Sequence, residues 1–130
     1  LCKDTVDYIQ NVSYNDKDYA LLFLLGENMD EPDVEKVKCD IELFDSFTDG
    51  FINGCDGKLT EHEIDTLPVG ALTATYEQGL RFLADYLDGD VYFKTAYPEH
   101  NLVRTHTQIR MVEEIESKWD RIQNIIQKYK

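Results

Sequence analysis

The residues best suited to chemistry lie in one stretch of this 130-residue chain, from Gly79 to Lys94, which reads GLRFLADYLDGDVYFK. If this stretch begins as a helix, Arg81 lies one turn after Glu77 and one turn before Asp85. Tyr86 and Tyr92 follow, so an Arg, two Tyr residues and a Gly-containing turn with two Asp residues could form a polar pocket for a hydroxyl-rich ligand. The same spacing also predicts a surface ion pair of Arg81, worth about 0.2–0.5 kcal/mol. Both interpretations remain open on the residues alone.

A second stretch, INGCDGKLTEHE at residues 52–63, resembles a calcium-binding EF-hand loop. With Gly57 at position six and Glu63 as the closing carboxylate, positions one and three carry Ile and Gly. An EF-hand needs side-chain oxygens at both of these positions. The alternative is a turn followed by a capping box, in which Thr60 and Glu63 satisfy free backbone N–H groups. We therefore predict a helix start here and no metal site.

Other catalytic patterns are missing from the sequence. The three His residues form no H-E-x-x-H pair, and the chain contains no G-x-G-x-x-G, Walker A or G-x-S-x-G sequence. We predict no catalytic residue and no metal ligand. The three Cys residues form no C-x-x-C pair, which favours a reducing, cytoplasmic environment over a disulfide scaffold.

Composition excludes two classes of partner. The chain has 13 basic and 26 acidic residues and a formal net charge of −13, which argues against binding to nucleic acid or to anionic membranes. The longest apolar run, Tyr19–Leu25, is too short to span a bilayer. It is typical of a buried helical turn or a strand. We expect one helical domain over residues 1–130, and the first residue, Leu1, fits either a processed N-terminus or a piece of a longer chain.

Hydrophobic periodicity predicts the elements that must position these residues. A first helix covers residues 41–51 and ends between Gly50 and Gly54. A short helix follows Thr60 and stops near Leu67, where Pro68 begins the next one. That helix, over residues 69–87, presents one apolar face and includes Gly79, which predicts a close helix crossing. The residues of this face are Leu72, Tyr76, Leu80, Leu83, Ala84 and Leu87.

The rest of the chain predicts a short extended segment near residues 90–94, a loop and one long last helix. Asn101 is a suitable N-cap for that helix, and Glu114 and Lys118 have the favourable four-residue spacing. Its apolar stripe consists of Val103, Ile109, Val112, Ile115, Trp119, Ile122, Ile125 or Ile126, and Tyr129.

Three strings resemble the C-terminal part of bacterial N-acetylhexosamine kinases, in the aminoglycoside phosphotransferase and choline kinase-like group. They are DEPDVEKVKCDIELFDSFTDGF, LTEHEIDTLPVGA and GLRFLADYLDGDVYFKTAYPEHNLVRTHTQIRMVEEIESKW, and the resemblance covers Asp30 to about Ile122. It implies the helical C-terminal lobe of a protein-kinase-like fold. The family's sugar-contacting Arg and Tyr, eleven residues apart, correspond to Arg81 and Tyr92. A full-length relative would use ATP and Mg²⁺ to phosphorylate a sugar hydroxyl.

The chain departs from that family in its catalytic parts. It has no H-x-D-x-x-x-x-N loop and no ATP-binding N-lobe. In the family's IDxD segment only Asp4 matches, since Cys2 stands at the first acid, and DFGD has become Asn15–Asp18. We therefore expect a substrate-lobe fragment or truncated relative that is inactive alone, holds no cofactor and binds an amino sugar weakly.

The alternative is a stand-alone helical protein-interaction module with no sugar-related activity. Both hypotheses predict an exposed apolar face, which an N-lobe would cover, and through which copies of the chain could form a homo-oligomer.

Overall fold

A computed structural model describes residues 29–130 of the chain, which contain four α-helices. In chain order they are α1 (Ile41–Gly54), α2 (Glu61–Asp88), α3 (His100–Ser117) and α4 (Trp119–Gln127), preceded by a 3-10 turn at Val34–Lys36. Residues 29–130 contain no strand. Over this range the protein is mainly α, as the periodicity predicts.

The sequence features before residue 29 lie outside the described residues. They are Cys2, Asp4, the segment Asn15–Asp18 and the apolar run Tyr19–Leu25. Within residues 29–130, the helices are all too short or too polar to cross a membrane.

Local signals set the ends of the first two helices. α1 begins where the Asp40 carboxylate accepts hydrogen bonds from two backbone N–H groups of its first turn. It ends at Gly54, within the predicted interval. The capping box that starts α2 is confirmed: the Glu63 N–H donates to the Thr60 hydroxyl at 3.2 Å, and the Thr60 N–H donates to the Glu63 carboxylate at 2.8 Å. The hydrogen bond from the Thr60 backbone N–H, and to a lesser extent the one from its hydroxyl group, lower the pKa of Glu63 to about 2.

The predicted break between two helices at Leu67 and Pro68 is wrong, because α2 runs without interruption from Glu61 to Asp88. Proline inside a helix costs about 3 kcal/mol through a lost hydrogen bond and a steric clash. Pro68 is nevertheless fully buried, on the helix face that also buries Ile64 and Thr75. Continuing the helix keeps this face against the rest of the domain, and that packing offsets the local penalty.

The apolar face predicted for α2 is not the face that packs against α3, although its residue Leu72 packs against the apolar core. Tyr76, Leu80 and Leu87 are 56%, 50% and 74% exposed. The face that packs against α3 instead includes Thr75 and Gly79 as well as the large Phe82, and the small residues allow the two helices to approach closely. A Cβ atom added at Gly79 would lie 3.1 Å from the Gln108 Cβ, which confirms the close crossing predicted at this glycine.

The long last helix is divided in two. α3 ends at Ser117, and Lys118, with φ −109° and ψ 13°, separates it from α4. The predicted pair of Glu114 and Lys118 is confirmed, with 2.6 Å between the Lys118 Nζ and a carboxylate oxygen. Burial raises the pKa of Glu114, but hydrogen bonds from Lys118 and the Cys39 N–H bring that pKa below its usual value.

One apolar cluster occupies the end of the α2–α3 pair where α2 begins, and α1 and α4 close over it. Its buried members are Val37, Cys39, Phe44, Ile64, Met111, Ile115, Ile122, Ile125 and Ile126. The opposite end of the pair, where α2 stops and α3 starts, is held by polar groups.

Candidate functional site

The candidate site is built on the turn that ends α2. Gly89 and Asp90 adopt left-handed backbone conformations, with φ of 94° and 58°. The Asp90 N–H donates to the Asp85 carbonyl at 2.8 Å, and the Gly89 N–H donates to the Tyr86 carbonyl at 3.2 Å. This pair of bonds is a Schellman motif, which satisfies carbonyl groups that a helix end would leave unpaired. It reverses the chain so that Tyr92 returns alongside α2.

The buried carboxylate of Asp85 fixes the loop after this turn. Its Oδ1 accepts from the Tyr92 N–H at 2.7 Å, and its Oδ2 accepts from the Phe93 N–H at 3.0 Å. Burial raises the pKa of Asp85, but the hydrogen bonds from these backbone N–H groups and from Asn101 lower it by a larger amount. The pKa therefore lies below its usual value. The extended segment predicted near residues 90–94 is therefore an irregular loop, because its N–H groups bind a side chain rather than a second strand.

Asn101 ties this loop to α3. Its Nδ2 donates to Asp85 Oδ2 at 2.7 Å and to Asp90 Oδ1 at 2.9 Å, and its Oδ1 accepts from Arg104 at 3.1 Å. Asn101 is completely buried. The predicted N-cap role is wrong, since α3 begins one residue earlier, at His100, and the Asn101 side chain points to the end of α2.

The two residues predicted to bind a sugar meet at the surface of this turn. The Arg81 guanidinium carbon lies 5.8 Å from the ring centroid of Tyr92 and 5.8 Å from that of Phe93. The two rings contact each other edge to face, with centroids 4.8 Å apart. Arg81 also approaches Glu77 at 3.7 Å, so the predicted surface pair forms as well. The surface ion pair of Arg81 and its contact with Tyr92 thus occur in one cluster.

A second polar group anchors the start of the described chain beside the site. Asp30 Oδ1 accepts from Arg104 Nε at 2.8 Å and contacts His100 Nε2 at 2.7 Å. Because the Ala96 N–H donates to His100 Nδ1, the Nε2 atom carries the ring proton and donates to Asp30. Burial raises the pKa of Asp30, and the bonds from Arg104 and His100 lower it to a net value below the usual one.

Sequence reasoning identified the exposed pair and missed the residues that hold it. The spacing predicts Asp85 only as a member of the surface group around Arg81, and Asn101 only as a cap. In the structure Asp85 lies on the same helix stripe as the buried residues Thr75 and Phe82, where a carboxylate must accept hydrogen bonds. The hydrophobic pattern does not identify this stripe as the buried one, and the partners of Asn101 are remote in sequence.

Within residues 29–130, no three His, Cys, Asp or Glu side chains are grouped closely enough to hold a metal ion. The turn at residues 55–57, in the former calcium-loop stretch, serves to connect α1 to the capping box. No known protein-family model matches the chain.

Proposed function

We propose that this chain is the substrate lobe of a sugar phosphotransferase of the N-acetylhexosamine kinase type, and that Arg81 and Tyr92 contact the amino sugar. The observation that supports this most directly is the meeting of the two side chains on one surface, although eleven residues separate them in sequence. The resemblance of Asp30 to Ile122 to the C-terminal part of those kinases supplies the substrate class.

The chemistry of the pair suits a hydroxyl-rich ligand. Arg81 offers a planar set of N–H donors, and the Tyr92 hydroxyl can both donate and accept. Tyr92 is 65% exposed and the Arg81 side chain 39% exposed, so both can reach a ligand from solvent. An open surface covers only one side of a sugar, and we therefore expect weak binding by this chain alone.

The proposal assigns no catalytic residue to this chain. Phosphoryl transfer depends on positioning and on neutralising charge with bound ATP, Mg²⁺ and a catalytic Asp, and these parts would belong to a full-length cytoplasmic relative. The contribution of this lobe would be to orient the sugar hydroxyl.

Isothermal titration calorimetry with N-acetylhexosamines tests the proposal. We expect binding heat for the unmodified chain and its loss in Arg81→Ala. Arg81→Lys should weaken binding as well, because an ammonium lacks the planar fork of the guanidinium.

Glu77→Gln is the matched control, since it removes the charge that competes for Arg81 without touching the ring pair. It should bind at least as tightly as the unmodified chain. Binding that persists in Arg81→Ala would reject the site, and an absence of heat in the unmodified chain would reject the function.

A specific observation favours a second candidate, a helical interaction module. An apolar stripe of α2 and α3 is exposed, with Tyr76, Leu80 and Ile109 between 49% and 56% exposed. A shallow cavity of about 140 Å³ between the two helices continues this stripe, and no charged residue lines it. Exposed apolar patches of this kind often mark protein interaction sites, and two copies of the chain could pair here.

Sedimentation equilibrium at several salt concentrations tests this second candidate. Association should strengthen as salt screens the net charge of −13. Leu80→Asp should abolish association, whereas Val91→Asp, at an exposed valine outside the stripe, should not. A chain that stays monomeric at every salt concentration would exclude pairing through this stripe.

A further inference from the structure

A groove separates α1 from the first half of α2. It has a volume of about 390 Å³ and is apolar for most of its length. Phe47 and Phe51 stack along its α1 wall, with centroids 6.1 Å apart. The opposite wall presents small residues, which leave room for side chains from outside. The lining residues are Phe44, Phe47, Thr48, Phe51, Glu63, Thr66, Leu67, Gly70, Ala71 and Ala74.

The groove stays open because α1 is held by α4. The Tyr129 hydroxyl, just after α4, donates to Asp45 Oδ1 at 2.7 Å, and Lys128 Nζ lies 2.6 Å from Asp45 Oδ2. Phe44 packs in the apolar cluster with Ile122 and the other α4 residues. These contacts hold α1 against α4, and Phe47 on the groove wall is 40% exposed.

The start of the described chain lies beside the second half of α2. Asp30 is bound to Arg104, whose guanidinium carbon lies 5.6 Å from the Phe82 ring centroid. Phe82 contacts Phe93, and Phe93 contacts Arg81. The start of the described chain is therefore close to the α2 surface that carries Arg81.

That surface of α2 leads directly into the groove. Counting back from Arg81, Ala74, Gly70, Leu67 and Glu63 follow at intervals of seven, four, three and four residues. Such intervals place side chains on one stripe of a helix. This stripe therefore connects the surface around Arg81 with the groove.

The sequence before Asp30 contains a segment that matches the groove in chemistry and in reach. The run Tyr19–Leu25 has seven residues, none of them charged, and ends five residues before Asp30. Five extended residues span up to about 17 Å. Along α2, Ala74 in the groove lies about 12 Å from Phe82, the residue beside which Arg104 holds Asp30.

We propose that the run Tyr19–Leu25 docks in the groove between α1 and α2 of the same chain. An attached segment is present at a high effective concentration, on the order of millimolar for a short connection. A second copy would have to approach against a net charge of −13 on each chain. The high effective concentration of the attached segment and the repulsion between two copies both favour the attached segment as the occupant.

Disulfide trapping in the full chain tests this arrangement. Ala74→Cys on the groove wall would be combined in turn with Leu21→Cys, Leu22→Cys, Phe23→Cys and Leu24→Cys, all in a Cys2→Ser background. Cys39 and Cys55 are buried and stay in place. We expect at least one pair to form a cross-link in most chains on mild oxidation, at the mass of the monomer.

The matched control replaces Ala74→Cys with Leu80→Cys, which lies on the opposite, exposed stripe of α2 and should give no cross-link with the same four positions. Cross-linked dimers in place of monomers would identify a second copy as the occupant and overturn the proposal. Cross-links to position 80, or none to position 74, would overturn it as well.

A second measurement does not depend on engineered disulfides. Leu22→Asp combined with Leu24→Asp should release the segment and raise the fluorescence of 8-anilinonaphthalene-1-sulfonate, a dye that binds exposed apolar surface. Adding Ala71→Trp should reverse that rise by filling the groove. Far-ultraviolet circular dichroism confirms that each variant keeps its helices, and an unchanged dye signal in the released variant would contradict the docking.

Discussion

The two ends of the α2–α3 pair are stabilised in different ways. At one end Ile64 of α2 packs in a cluster with Met111 and Ile115 of α3. At the other end Asp85 of α2 and Asn101 of α3 join through hydrogen bonds. Apolar packing is non-directional and scales with the area removed from water. The polar end depends on directional bonds in which each buried group has its own partner. We therefore expect graded responses to substitution at the first end and abrupt responses at the second.

The largest expected effect follows from reversing the polarity of Asn101. In Asn101→Asp, a third carboxylate would replace the donor that now binds Asp85 and Asp90. A buried charge without a partner typically costs about 3–5 kcal/mol, so we expect a loss of about 4 kcal/mol in the free energy of unfolding. Urea denaturation at pH 7 measures it.

Asn101→Ala is the control, because it removes the same bonds without adding a charge, and it should cost about 2 kcal/mol. The difference between the two variants should shrink as the pH falls, because burial and the neighbouring carboxylates raise the pKa of the new Asp, and its protonated carboxyl group can donate a hydrogen bond. The unmodified protein should lose stability in the same direction, since the depressed pKa of Asp85 contributes stability that disappears as the pH falls through it. If Asn101→Asp and Asn101→Ala lost the same free energy of unfolding at neutral pH, this would show that the polar end does not depend on the direction of its hydrogen bonds.

The apolar end should respond in steps. Ile115 is 2% exposed and lies in the middle of the core cluster. Ile115→Val removes one methylene group and should cost about 1 kcal/mol, and Ile115→Ala should cost about 3 kcal/mol. Both are measured by urea denaturation under the conditions used for Asn101. If the Val variant lost as much stability as the Ala variant, the apolar end would respond as abruptly as the polar end. The expected difference between the two ends would then be absent.

The features that the sequence could predict are those whose residues lie close together in the chain. The capping box of Thr60 and Glu63 and the pair of Glu114 and Lys118 are three and four residues apart, so spacing alone identifies them. Gly79 was also identifiable, since a glycine in the middle of a helix needs a tertiary reason. In each case the signal and its partner lie within one helix or at one position.

The features that could not be predicted depend on contacts between helices. The stripe of α2 with Tyr76 and Leu80 predicts burial, but α3 packs against the neighbouring stripe that contains Gly79. Only the tertiary structure shows that α3 packs against the stripe that allows a close approach of the two helices, and not against the stripe with Tyr76 and Leu80. For the same reason the joint role of Asp85 and Asn101, sixteen residues apart, is invisible to periodicity. The meeting of Arg81 with Tyr92 was expected from resemblance, and their role in sugar binding stays a prediction.

The smallest expected effect lies midway between the two ends, where α2 and α3 are closest. Gly79→Ala gains about 1 kcal/mol of helix propensity, but its Cβ would lie 3.1 Å from the Gln108 Cβ. Crowding of this kind typically costs about 1–3 kcal/mol, so we expect a net loss of about 1 kcal/mol. Gly70→Ala is the control on the same helix, because no atom lies within 4 Å of its added Cβ.

Gly70→Ala should therefore raise the free energy of unfolding by up to about 1 kcal/mol, and urea denaturation should show shifts of opposite sign for the two glycines. A double-mutant cycle with Gln108→Gly isolates the crowding, since that change removes the one Cβ that the new methyl group meets. Gly79→Ala should be stabilising in the Gln108→Gly background and destabilising in the original one. If its effect were the same in both backgrounds, the spacing of α2 and α3 would be set by the contacts at the two ends, and the glycine would matter only for the helix that contains it.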